Sequence, residues 1–516
     1  MNDKTKQVKL LNNWAFFPRI GGSLAVLIAM AGCAVGPNYQ APQTAMPDQW
    51  QKDLRYGLSS KTTPAEYWQE FNDPILTDLV ERAAKNNKDL RIAWWNLEQS
   101  HARVGEVAGQ FFPKVDADAD YSRGRVSKYG PSAPAPVTNE NTGITKYPDP
   151  HASNLTTLGG TASWEIDFFG RIRRSYESIL ASEQASTESY HDTMVIINAD
   201  VVTAYVQART LQKRLIIART NMELQEKTLK LAQARHASGL VPVLDIAQAR
   251  ANLAATEASV PTLKADLQRT FNQIDVLIGE RPGTVAEKLL KDGPMPKTPV
   301  TIAMGLPADL VRRRPDIRQA ERQLAAQTAQ IGVATADLYP YFTLTGALHL
   351  QAINTGDLGR AYSGAYSFGP QMNWNIFDGN QIRSRIRQQK AATEAALVTY
   401  ERTVLLALQE IQDAANDYVY QIDRREKLNE SVLALGESVR LVEDQYRNGL
   451  TDFQNVLDMQ RSYFVQQDNL VVSEGLAIAN LVRVYRAAGG GWDIDESAAP
   501  TTQPVCTTQS TQNAKK

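Results

Sequence analysis

The chain has 516 residues, with 55 Lys and Arg against 56 Asp and Glu, for a formal charge of −1. A balance this even gives no electrostatic case for nucleic acid, which needs a basic face or stripe. At 43% hydrophobic and 22% charged residues the chain folds, and with only Cys33 and Cys506 as cysteines it is neither a disulfide scaffold nor a thiolate zinc protein.

No run of about twenty apolar residues occurs, so no membrane-spanning helix is expected. The histidines His101, His151, His191, His236 and His349 lie far apart without ligand spacing, and no metal site is expected. The N-terminus reads as an address. Lys4, Lys6, Lys9 and Arg19 form a basic leader, and Ile20 to Ala31 is an apolar stretch too short to span a bilayer but suited to export. It ends in Met30-Ala31-Gly32-Cys33, which resembles a bacterial lipoprotein processing site, cleaved before a cysteine that is then acylated. Residues 1–32 are expected to leave as a signal peptide; they hold four basic residues and one acidic one, so the chain from Cys33 carries −4.

An acylated, extended segment is expected over 33–73, followed by a first repeat over 74–281. Its first strand, Lys114 to Tyr121, alternates apolar residues with Asp116, Asp118 and Asp120. Ser127 to Pro150, rich in Pro, Gly, Ser and Asn, reads as an exposed loop. In the second strand Ala162, Trp164, Ile166 and Phe168 alternate with Ser163, Glu165 and Asp167. From Ile172 to His236 no proline interrupts a long helix, and Gly239 supplies the left-handed cap of a turn after which Pro242 suits a first helical position. Residues 282–306 form a Pro-rich linker expected to run as irregular chain. Gly279 to Gly283 before it is a turn, lacking the Gly-Lys-Ser/Thr ending of a nucleotide loop.

A second repeat is expected over 307–490. Phe342, Leu344, Gly346, Leu348 and Leu350 line one face of its first strand, and Phe368, Pro370, Met372, Trp374 and Ile376 one face of its second. The helix from Gln381 to Arg447 would extend on the order of 100 Å at about 1.5 Å per residue. Leu408, Ile411, Ala415, Tyr418 and Ile422, then Leu428, Val432, Leu435, Val439, Val442 and Tyr446, follow the threes and fours of a coiled-coil seam. A second tip follows at Gly449, with Thr451 or Asp452 placed to cap the returning helix. Residues 491–516 have the composition of a disordered tail.

The two repeats align with each other. Arg91, Ala93, Leu97, Ala102, Gly105 and Pro113 recur 227 residues later, while Trp164 and Gly239-Leu240 recur 210 residues later. The fold class is therefore mainly α, with long coiled-coil hairpins and four strands per chain. Strands of about ten residues with one apolar and one wet face suit an outer-membrane barrel. Four cannot close one, and lipid does not tolerate open edges, so the chain is expected to oligomerise, two copies giving eight strands or three giving twelve. Only the latter leaves a wide lumen.

The start Cys33-Ala34-Val35-Gly36-Pro37-Asn38-Tyr39, then Trp68-Gln69-Glu70-Phe71-Asn72-Asp73-Pro74, resembles the outer-membrane efflux protein (TolC-like) family in its lipoprotein branch. So do Leu306 to Ile317 (LPADLVRRRPDI) and Tyr446 to Asp452 followed by Asn455-Val456-Leu457-Asp458. The resemblance implies a homotrimer in the bacterial outer membrane, lipid-anchored at Cys33, with a twelve-stranded barrel continued by a helical tunnel across the periplasm. It implies a periplasmic adaptor and an inner-membrane RND-type pump as partners, contact with outer-membrane lipid, no nucleic acid, and no cofactor beyond the lipid on Cys33. Such a duct is no enzyme and passes drugs or other small molecules; the same duct serving peptide or protein secretion is the alternative. Carried over residue by residue, the periplasmic gate falls on Asp245, Tyr446 and Asp458, and the hairpin tips on Gly239, Gly449 and Asp452. Asn455 replaces a family carboxylate, and Thr451 a linking arginine. Asp116, Asp118 and Asp120 would face the barrel lumen. An envelope enzyme built on Asp116 and Asp118, which share a strand face, lacks any accompanying nucleophile, base or metal set.

Overall fold

The computed structural model describes residues 34–492 apart from 44–45, 48–57, 128–134, 139, 141, 147–151, 286–288, 290–292 and 300–301. The expected signal peptide, Cys33 and residues 493–516 of the expected tail, with Cys506, lie outside the described residues, whereas Gly491 and Trp492, at the start of that tail, are buried, the Trp492 indole donating to the Arg313 carbonyl at 3.1 Å.

The first half runs through helices α1 (Pro74–Asn86) and α2 (Lys88–Ala108), strands β1 (Lys114–Gly124) and β2 (Ser153–Ile166), and helices α3 (Arg171–Ala237) and α4 (Val243–Leu277). The second half repeats that order with α5 (Pro307–Arg313), α6 (Pro315–Ala336), β3 (Tyr341–Ala352), β4 (Gly364–Asn373), α7 (Gln381–Arg447) and α8 (Phe453–Ala487). A shift of 210 residues carries α3 onto α7 and α4 onto α8, end for end. Even single bonds repeat. The Trp164 indole donates to the Phe111 carbonyl at 2.9 Å, and the Trp374 indole to the Leu338 carbonyl at 3.1 Å.

Local differences from the sequence reading have local causes. Helix α4 starts at Val243, and Pro242 is its extended N-cap, because a β-region φ/ψ at that residue ends the preceding turn. Asp452 is the N-cap of α8, yet its side chain accepts no cap bond. Strand β4 stops at Asn373, short of Trp374 and Ile376, because its last partner is Tyr341 and Pro340 before it has no N–H to extend the ladder. Strand β2 stops at Ile166, so Phe168 lies beyond the sheet, its ring edge-on to Phe342 at 5.0 Å. The seam of α7 buries Ala407 and Ala414 where periodicity pointed to Leu408 and Ala415, which pack partly buried beside them. The loop between β1 and β2 carries a short hairpin, Val137–Thr138 against Thr145–Lys146.

Two compact units are built from interleaved stretches of chain. One contains residues up to 42, 99–184 and 322–398, and so all four labelled strands. Within it the Arg174 guanidinium clasps the segment that follows Cys33, donating to the Val35 carbonyl at 3.1 Å and to Asn38 Oδ1 at 2.7 Å. The other contains 43–98, 185–321 and residues from 399 onward, with the main apolar core around Tyr67, Phe71, Leu76, Tyr205, Phe271 and Tyr485. The segment expected as extended and the linker expected as irregular chain meet there, Leu58–Ser59 pairing in parallel with Ile302–Ala303. Asp73 caps α1 by accepting from the Ile75 and Leu76 amides and also accepts from the Tyr205 hydroxyl at 2.6 Å. Arg314, in the motif that opens the second repeat, forks onto Asp316 and reaches Glu410 at 2.8 Å, tying α6 to α7.

Candidate functional site: the hairpin tips and the amphipathic sheet

Both tips are built by the same bonds. Helix α3 ends with Gly239 at φ +72°, the Gly239 amide on the His236 carbonyl and the Leu240 amide on the Arg235 carbonyl. Helix α7 ends with Gly449 at φ +77°, its amide on the Tyr446 carbonyl and the Leu450 amide on the Gln445 carbonyl. A left-handed residue closed by this bond pair is the Schellman stop, and glycine takes that φ without steric cost.

The stops bring Tyr446 against the first hairpin. Its hydroxyl donates to Asp245 Oδ2 at 3.1 Å, with Tyr446 2% and Asp245 9% exposed. The Arg235 guanidinium lies 4.6 Å from the centre of the Tyr446 ring and donates to the Tyr446 carbonyl, and Phe453 packs on the ring at 5.1 Å. Burial, reinforced by the bond to the Asp245 carboxylate, pushes the Tyr446 phenol up to about 12. One turn up, Gln460 donates to Thr228 at 2.7 Å and to Glu443 at 2.8 Å, and burial raises the Glu443 carboxyl.

Asp458 is not part of this cluster; it is exposed and accepts from Gln454 at 3.0 Å. Asn455 donates to Thr451 Oγ1 at 2.9 Å, so the two positions that depart from the family's charged pair form a neutral bond. The guanidinium that meets Tyr446 comes from Arg235 on the other hairpin. Sequence reasoning missed Arg235, Glu443 and Gln460. Only their spacing from the tip glycines points to them, and nothing local tells a seam polar residue from a solvated one.

Strands β1 to β4 form an antiparallel meander in chain order. Register places Val115, Ala162, Gly346 and Phe368 in one row and Ala117, Gly160, Leu348 and Tyr366 in the next, all on one face. That face is bare: Leu348 is 68% and Phe368 81% exposed, and Val115, Leu158, Tyr366 and Met372 are exposed with them. The opposite face carries Asp116, Thr161, Ala347 and Ser367, then Asp118, Gly159 and His349, then Asp120, Thr157 and Gln351. The three aspartates thus share the polar face. Lys114 pairs with Asp116 at 2.9 Å, and His349 reaches across Gly159 to Asp118 at 3.2 Å.

That reach fixes Gly159. A Cβ there would lie 2.2 Å from the Leu348 carbonyl and 2.4 Å from the His349 ring. Gly159→Ala is expected to lower the thermal stability of the purified protein by about 1–3 kcal/mol of overpacking. Gly346→Ala, whose Cβ would meet nothing closer than 3.9 Å, should leave the melting temperature unchanged.

Among the described residues no helix is long and apolar enough to cross a membrane, and no cluster of three or more His, Cys, Asp or Glu could hold a metal ion. The sequence model of the outer membrane efflux protein family matches residues 79–280 and 306–490. The chain belongs to that family. Nodulation protein T of Rhizobium leguminosarum bv. trifolii is 29% identical over 448 residues, which cover 86% of this chain and 91% of that protein. The antibiotic efflux pump outer membrane protein ArpC of Pseudomonas putida is 29% identical over 479 residues, covering 91% of this chain and 95% of its own. The solved outer-membrane channel OprN is 36% identical, with a TM-score of 0.82 over 89% of this chain and 100% of its own. CmeC of Campylobacter jejuni shares the fold at 22% identity and a TM-score of 0.79. A place in the outer membrane explains the bare apolar face, which water would disfavour and hydrocarbon accepts. The family is one of transport channels, in keeping with a site made of tips and a sheet.

Proposed function

We propose that three copies of the chain form the passive exit duct of a tripartite efflux system, conducting drugs or other small molecules delivered by an inner-membrane RND-type pump through a periplasmic adaptor. The observation that carries this is the four-stranded sheet, apolar and exposed on one face and acidic on the other. In hydrocarbon its two outer edges must pair, and strands from further copies satisfy them without any new element. Twelve strands then surround a lumen toward which Asp116, Asp118 and Asp120 point, and the Tyr446–Asp245 link holds the periplasmic end shut. Asp458, exposed on the returning helix, repeats around the threefold axis as a carboxylate ring that attracts cations. Energy comes from the pump, so the chain needs no catalytic group. The names of relatives that export toluene, solvents and antibiotics support small-molecule cargo over peptide or protein. Conductance in planar bilayers, measured with the native mass of the same sample, tests the reading. A water-filled pore from a particle of three chains is expected; an impermeable particle sinks it.

Removal of residues 1–32 and acylation of Cys33 complete the reading. The Arg174 clasp on Val35 and Asn38 supports it, since it holds the chain within a few residues of the lipid. Cys33→Ser should abolish palmitate labelling while the sheet still inserts, so efflux falls in part. Undiminished labelling would place the lipid elsewhere.

A further inference from the structure

We infer that neighbouring copies meet along α7 of one and α4 of the next, with Asp423 of the first paired to Lys264 of the second. The inference rests on the trimeric duct proposed above and adds to it a register and a set of residues.

The two hairpins pack α3 against α8 through an antiparallel polar row. Arg214 forks onto Asp468 at 2.7 and 2.9 Å, Asn221 donates to Gln467 at 2.7 Å, and Gln460 donates to Thr228 at 2.7 Å. Lys213 pairs with Glu474 beside them. On α3, residues 214, 221 and 228 are seven apart, as are 460, 467 and 474 on α8, the spacing of positions that flank a coiled-coil seam.

Three chains of two hairpins each make a ring of six, in which every second junction lies within a chain and the others between chains. Because α3 and α4 superpose in sequence on α7 and α8 end for end, the inner junction has an outer image. The 210-residue shift carries α3 to α7 and, in reverse, α8 to α4. Lys213 then maps to Asp423 and Glu474 to Lys264, so an opposite-charge pair becomes an opposite-charge pair with its polarity exchanged. Asn221 and Gln467 map to Ser431 and Glu257, and Thr228 and Gln460 to Ser438 and Arg250. Arg214 maps to Arg424, whose image partner is Ala258 with Glu257 next to it. No like charges meet anywhere in this image.

Burial agrees. Arg250, Glu257 and Lys264, spaced by sevens on α4, are all exposed in the single chain, as is Arg424 on α7. Charges flanking a seam choose partner and register more than they add affinity, which is the role this row would have. Toward the tip the rule breaks, since Tyr446 of α7 reaches Asp245, and Arg461 of α8 reaches Asn252 at 3.0 Å, both on α4 of their own chain. The image therefore applies above Asn252, where Glu257 and Lys264 lie.

The full-length chain with Cys506→Ser, carrying Lys264→Cys and Asp423→Cys, tests this in outer membranes with a short bis-maleimide. Covalent dimers and trimers on denaturing gels are expected from most of the material. Lys213→Cys with Glu474→Cys in the same background should link within chains and run as monomer. In a sample whose native mass is three chains, a monomeric product from the Lys264–Asp423 pair, or a ladder from the Lys213–Glu474 pair, overturns the inference. A native mass other than three chains instead sinks the trimeric reading beneath it. Asp423→Lys alone should cut the yield of detergent-resistant oligomer at least threefold, and adding Lys264→Asp should restore it; a double variant no better than the single one also overturns the pairing.

Discussion

Leu348→Arg is expected to abolish most assembly of the protein in the outer membrane, whereas Ala347→Arg, one residue away, is expected to assemble normally. Leu348 projects from the bare face of β3, between Gly160 and Tyr366, at 68% exposure. An arginine there meets hydrocarbon. The cost is about 2–4 kcal/mol at the bilayer midplane and falls toward zero at the interfaces. Threefold assembly would charge that cost once per chain, which is large against a net stability of about 5–15 kcal/mol. Ala347 sits in the row of Asp116, Thr161 and Ser367, where a guanidinium stays in water and finds carboxylates nearby. The measurement is the amount of detergent-resistant oligomer in membranes for each variant at equal expression. Equal yields would mean that this face does not contact lipid. The same pair also tests register, because slipping β3 by one residue would exchange the two outcomes.

What could be read from the sequence was what depends on neighbours along the chain. The end of α7 at Arg447 and the stop at Gly449 follow from one glycine and a proline-free run, and the structure places both there. The alternation of β1 named the face of Asp116, Asp118 and Asp120 because a strand has a period of two whatever it pairs with. Strand ends were not legible, because β4 stops where its partner β3 begins, at Tyr341, just after Pro340. The bond between His349 and Asp118 depends on a glycine in the strand between them, and no pattern within β1 or β3 carries it. The tip shows the same division. Tyr446 was visible as the last residue of a seam, and the family motif pointed to Asp245. That Arg235 stacks on the ring while Asp458 stays out in water is set by how two hairpins 200 residues apart turn toward each other.

Tyr446→Phe is expected to raise the single-channel conductance of the protein without an adaptor. The phenylalanine keeps the ring under Arg235 and against Phe453, so packing is preserved, but the Asp245 carboxylate loses its donor while 9% exposed. Hydrogen bonds to charged groups contribute about 1.5–3 kcal/mol, which corresponds to roughly a tenfold to hundredfold larger open population if the link exists only in the closed tip. An adaptor that binds the open tip more tightly would draw on the same equilibrium. Asp245→Ala removes the same bond from the other side, so the double variant should open no further than the more open single variant. Additive effects would mean that the two residues act through different contacts. Asp458→Ala serves as the contrast: exposed and outside the cluster, it should leave conductance near the wild-type level and weaken block by multivalent cations. The phenol adds a pH signature. Its folded-state value is pushed up to about 12 by burial and by Asp245, above the ordinary value of about 10, so the neutral donor is favoured in the closed tip. That stabilisation is complete below about pH 10 and is lost as pH rises toward 12, so wild-type conductance should stay flat from about pH 7 to 9. If Tyr446→Phe conducts like wild type while Asp458→Ala opens the pore, the periplasmic end is held by the carboxylate ring and the Tyr446–Asp245 bond is only a structural tie between hairpins.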